Sequence, residues 1–141
     1  MKHYICWSCG LIGAGLSYLF GGFTESLIAL LIFMVIDFIT GLILSGVFHK
    51  SSKTENGALE SKAGFKGLAR KCTVLMFVTV GAQLDLLIDT NYIKDGICIA
   101  FIVNELISIV ENAGLMGLPI PEIITKSIDI LKTKHDGDIN E

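Results

Sequence analysis

The chain has 141 residues, 52% of them hydrophobic and only 18% charged, with a formal net charge of -3. That balance excludes an ordinary soluble domain and leaves room for one small domain at most. The charge is unevenly placed: of the 11 basic residues, Lys50, Lys53, Lys62, Lys66, Arg70 and Lys71 all fall between the second and third apolar runs. The reading is an all-α integral membrane protein with three to four transmembrane helices and a C-terminal amphipathic helix.

The first apolar run, residues 4–23, follows Met1, Lys2 and His3 and carries no charge. A short basic start before an apolar stretch is also the pattern of a signal peptide, but no convincing small-x-small cleavage site follows, so the run is expected to be retained. Gly13, Ser17 and Gly21 recur every four residues with Gly10 and Ala14 beside them, a nearly bare face suited to close helix packing. The connection to the next run is so short that an antiparallel hairpin of the first two helices is predicted.

Residues 26–48, SLIALLIFMVIDFITGLILSGVF, supply the roughly 20 apolar residues that a helix needs to cross a hydrocarbon core. One formal charge, Asp37, interrupts them. An ionised carboxylate at the bilayer centre costs about 3 kcal/mol even on insertion scales, so Asp37 is expected to face protein or water and to find a hydrogen-bonding partner in Thr40 or on a neighbouring helix. Asp37, Gly41 and Ser45 stand at i, i+4 and i+8, so the acid shares a face with small residues that admit a neighbour.

Residues 49–67 form the one long polar stretch. Their basic excess, continued by Arg70 and Lys71, places this loop in the cytoplasm by the positive-inside tendency. Contact of these cations with anionic headgroups is a second role, behind that of a topology signal. A third span is expected over 68–88, with Gln83 and Asp85 towards its far end, then an outward acidic turn holding Asp89, Lys94 and Asp95. The fourth run, 97–113, differs in kind. Asn104, Glu105, Ser108, Glu111 and Asn112 cluster on one side of a helical wheel, which suits a helix lining a water-filled gap or meeting a partner subunit, or one lying in the interface plane. With four spans both termini are cytoplasmic.

Residues 1–118 thus make a membrane domain. Residues 119–134 read as an amphipathic helix, opened by Pro121, with Ile120, Ile123, Ile124, Ile128 and Leu131 on one face. Residues 135–141 read as an acidic tail.

The cysteines Cys6, Cys9, Cys72 and Cys98 lie in or beside apolar segments and read as packing residues. Cys6 and Cys9 form a C-x-x-C, but without the strand and helix setting of an oxidoreductase, and His3 adds only one further ligand to a metal that wants four. No nucleophile with its base, phosphate-cradling loop or cofactor motif is visible. The expectation is a protein that is not an enzyme, needs no cofactor and binds no nucleic acid.

Four local patterns in order, GGFTESLIALLIFMVIDFITG, SKAGFKGLARK, NELISIVENAGLMGLPIP and the amphipathic end, together resemble the phage-lysis and toxin-secretion holins of Gram-positive bacteria and their phages. The resemblance covers about residues 21–131. It implies a protein of the bacterial cytoplasmic membrane that forms homo-oligomers in the lipid bilayer and permeabilises it, releasing a muralytic enzyme or a large toxin. The positions it marks are Asp37, Thr40, Gly41, Ser61, Gly64, Gly67, Lys71, Asn104, Glu105, Ser108, Glu111, Asn112, Gly117, Pro119 and Pro121. Phe23, Thr24 and Glu25 depart from it, standing where relatives often have a tryptophan followed by an acid, and the basic loop is longer than usual.

Two other functions fit parts of the pattern. An antiholin would bind and block a lytic sister, and a small proton-coupled exporter would use the one central carboxylate in an alternating-access dimer. The polar stripe of the fourth run and the long basic loop favour a pore or its inhibitor over the exporter, which would not need the amphipathic tail.

Overall fold

A computed structural model describes residues 1–138, and the side chains of residues 1–133. Five helices account for its regular structure: α1 (Lys2–Leu19), α2 (Glu25–Gly46), α3 (Ser61–Ile88), α4 (Ile93–Leu115) and α5 (Glu122–Asp138). No strand occurs among the described residues. α2 and α3 are long and apolar enough to cross a membrane. α3 opens at Ser61, so its first turns use residues that the sequence reads as loop. α5 starts directly after Pro121 and its backbone runs on through Asp138, into the segment read as an acidic tail; residues 139–141 of that tail lie outside the described residues.

α4 is the hub. It packs on α2, α3 and α5, while α2 and α3 touch each other much less. The buried seam is narrow: Leu27, Leu30 and Met34 from α2 meet Val74 and Val78 from α3 and Cys98 and Ile102 from α4. On each helix these residues step by three or four, so each offers one apolar stripe to the seam. α5 docks through Ile128, which is buried, and Leu131, which packs against the same seam, whereas Ile123 and Ile130 face outward.

α1 does not form the expected hairpin with α2. Its helical neighbour is α3, it buries no residue, and all of residues 1–16 are exposed. The reason lies at its C-terminal end, where Gly21 and Gly22 adopt left-handed φ values of 62° and 90° and turn the chain away. That end is held by the other helices: the Lys94 ammonium donates to the carbonyls of Phe20, Gly21 and Gly22 at 3.1, 3.3 and 3.3 Å, and Gln83 Nε2 donates to Leu19 O at 3.4 Å. Of the bare face predicted for α1, the Gly21 end meets Ala82, whereas a Cβ on Gly10 or Gly13 would meet open space among the described residues.

Close approach of α3 to α4 depends on Gly81. A Cβ there would lie 2.6 Å from Ile97 Cδ1 and 3.2 Å from Lys94 Cα, and the latter is backbone that can move only with the whole helix. Gly81→Leu is expected to force the two helices apart and lower stability by about 1 to 3 kcal/mol, the usual range for overpacking. A thermal-unfolding midpoint in detergent equal to that of the parent chain would contradict this.

Candidate functional site

The inward faces of three helices each carry charge at the same level. On α2 the stripe Leu27, Leu30, Met34 continues to Asp37, which is buried. On α3 the stripe Val78, Val74 continues back to Lys71, and on α4 Cys98 and Ile102 continue to Glu105. The Lys71 ammonium sits between the two acids, 2.8 Å from Asp37 Oδ2 and hydrogen-bonded to Glu105 Oε2. Only 13% of the Lys71 side chain and 9% of the Asp37 side chain are exposed. An ion triad therefore joins α2, α3 and α4.

Neutral groups complete it. Asn112 Nδ2 donates to Asp37 Oδ1 at 3.3 Å and to Thr40 Oγ1 at 3.1 Å, while Thr40 Oγ1 donates to the backbone carbonyl of Asp37 at 3.0 Å. Asp37 thus finds the neighbour the sequence asks for, and Gly41 on the same face looks at Asn112, whose Nδ2 a Cβ there would meet at 3.9 Å, an ordinary contact. Ser45, also buried, donates back to Gly41 O at 2.8 Å and stays on its own helix.

The polar stripe of α4 divides. Glu105 and Asn112 turn into the chain's own bundle, Ser108 is half-buried and meets Lys53 Nζ at 3.4 Å, and Asn104 and Glu111 are exposed. The basic residues divide too. Lys71 belongs to the ion triad, Lys53 reaches back to α4 while itself exposed, and Lys50, Lys62, Lys66 and Arg70 are exposed as well.

Asp85 lies apart from this cluster, 14 residues or about 20 Å further along α3 at 1.5 Å per residue. Its carboxylate caps α4, accepting from the backbone N–H of Ile93 at 3.0 Å and of Lys94 at 2.9 Å, and from Thr90 Oγ1 at 2.7 Å. Those N–H groups have no partner inside α4, and a negative charge suits the positive end of the helix dipole. Beside it, Asp95 Oδ1 accepts from Thr24 Oγ1 at 3.2 Å and from Ser26 Oγ, tying the start of α2 to the first turn of α4.

Sequence reading placed Lys94 and Asp95 in an outward acidic turn and missed both roles. For Lys94 the signal was present: Lys94, Cys98 and Ile102 step by four along one face, and all three are buried. Lys71 was legible by the same rule, three residues before Val74 and seven before Val78.

Two helices of membrane-spanning length and apolarity, packed with α4 around a narrow apolar seam and joined to it by a buried ion triad, define a small all-α bundle. A model of the bacteriophage holin family matches residues 14–133, and the chain belongs to that family. An uncharacterised protein of Listeria monocytogenes is 37% identical over 93% of this chain and 95% of its own length. A further one, from Halalkalibacterium halodurans, is 36% identical over 94% of this chain and 96% of its own. A protein of Bacillus phage phi105 described as a probable holin is 31% identical over 85% of this chain and 83% of its own length. No solved structure matches the chain.

Proposed function

We propose that the protein is a holin of a bacterial cytoplasmic membrane, which accumulates there, forms homo-oligomers and opens the bilayer to a muralytic enzyme or a large protein toxin. The observation that carries this reading is the ion triad of Asp37, Lys71 and Glu105 at the centre of a bundle whose outer surface is apolar, in a chain of the holin family. On α2 alone Ile28, Ile32, Val35, Ile39 and Ile43 are exposed. Water would penalise so large an apolar surface, whereas lipid or a second copy covers it without cost.

In this reading α1 and α4 join α2 and α3 as spans, and α4 supplies the polar wall of the opening. Asn104 and Glu111 already lie on its exposed side, where a neighbouring subunit or water would meet them. Induced expression tests the function. Growth should stop abruptly while a membrane-impermeant dye enters the cells; steady growth, with delayed lysis by a second protein, would point to an antiholin instead.

Topology follows from the basic loop. With residues 49–60 and the start of α3 in the cytoplasm, four spans return both termini to that side. A reporter fused to the C-terminus is expected to be active only in its cytoplasmic form. Activity of an exported reporter at that position would remove α4 from the spans and lay it in the interface.

A further inference from the structure

A groove of about 510 Å³ runs between α3 and α4, and its two ends differ in character. Its lining runs along α3 from Lys66 through Arg70 and Lys71 to Val74 and along α4 from Ser108, beside Lys53, through Glu105 to Phe101, so cations stand towards one end and apolar side chains towards the other. Lys66 and Arg70 are four residues apart on one face of α3, both are exposed, and neither forms an ion pair among the described residues. Beyond Phe101 the apolar track continues to the exposed Phe77, whose ring centroid is 6.4 Å away.

We propose that this groove binds one anionic phospholipid, its phosphodiester headgroup between Lys66, Arg70 and Lys53 and the start of an acyl chain along Val74, Phe101 and Phe77. The inference rests on the membrane reading above. Four basic side chains line the groove against two acidic ones, and both acids, Asp37 and Glu105, are already engaged by Lys71. The charge left at the mouth is therefore positive, while Glu60 lines only a smaller adjoining recess of about 80 Å³. Asn104 and Ser108, on the α4 wall, add neutral groups that suit a glycerol or phosphodiester oxygen. A zwitterionic lipid brings its own cation to the same mouth and so gains less. Order along the groove, cations first and apolar side chains deeper, matches an amphiphile inserted from the cytoplasmic leaflet better than a free anion, for which the apolar end has no use.

The test uses the full chain, purified in neutral detergent with equal amounts of phosphatidylglycerol and phosphatidylcholine and read by native mass spectrometry. Phosphatidylglycerol should be retained at least about tenfold over phosphatidylcholine, the scale expected when two cations near a membrane surface favour an anionic headgroup. Lys66→Gln with Arg70→Gln should abolish the preference, whereas Lys50→Gln with Lys62→Gln, an equal loss of charge outside the groove, should keep it. Equal retention of the two lipids, or equal loss in both double variants, would overturn the proposal. Displacement of phosphatidylglycerol by millimolar inorganic phosphate would overturn the lipid in favour of a free anion. Resistance of the chain to carbonate extraction from membranes is read separately: its loss defeats the membrane reading, and unselective retention with that resistance intact defeats the groove alone.

Discussion

Lys71→Met is expected to remove the protein from the membrane fraction and abolish its effect on growth. The substitution leaves Asp37 and Glu105 facing each other in the bundle without their cation, and breaking one partner out of a buried ion pair costs about 3 to 5 kcal/mol. That is a large share of the 5 to 15 kcal/mol that typically separates a folded domain from its unfolded chain. Lys71→Arg keeps the charge but replaces a compact ammonium by a planar fork, so partial accumulation is expected. The decisive comparison is a triple variant, Asp37→Asn, Lys71→Met and Glu105→Gln. If the loss in Lys71→Met comes from uncompensated acids, removing them restores accumulation, and the effects are strongly non-additive. Normal levels of the Lys71→Met chain in membranes would show that the triad does not hold the helices together.

How far the fold was legible depends on which signal each residue carried. α2 was plain because its apolar length exceeds that of most soluble helices and the one charge beyond its first turn, Asp37, stands near the middle. The need of Asp37 for a partner followed from the cost of burying it, but the partner did not. Lys71 was counted with the loop because a cation beside a polar stretch is the usual topology signal, and only its spacing from Val74 and Val78 reveals that it points inward. The polar stripe on α4 was visible, yet a helical wheel does not tell which of its residues meet the chain's own α2 and α3. Glu105 and Asn112 do, and Asn104 and Glu111 do not. The hairpin expected of α1 and α2 failed for a reason outside both helices. Its turn is short enough, but Lys94, 72 residues beyond Gly22, holds the end of α1 instead.

Asp37→Asn is expected to move the time of lysis while leaving insertion intact, and Asp37→Leu to impair assembly. Asparagine keeps the shape and one acceptor oxygen, which can replace the 2.8 Å contact to Lys71 or the 3.3 Å contact to Asn112 but not both, since they meet different oxygens of Asp37. Leucine offers none, and leaves Asn112 Nδ2 with Thr40 alone. The change in timing comes from charge. Two carboxylates around one ammonium leave a negative charge in excess when both are ionised, and a charge set into the bilayer from its cytoplasmic side feels a share of the roughly 2.3 kcal/mol per 100 mV of a full crossing. In the oligomer proposed above, that energy summed over many copies would hold a closed arrangement while the membrane is energised and release it when the potential falls. Asp37→Asn removes the excess, and so does Glu105→Gln from the opposite side of Lys71. An uncoupler is expected to advance lysis in the parent, and both variants should lose that advance at normal membrane levels. An uncoupler response retained in both would leave Asp37 as a packing and hydrogen-bonding residue, with the trigger for opening placed elsewhere in the chain.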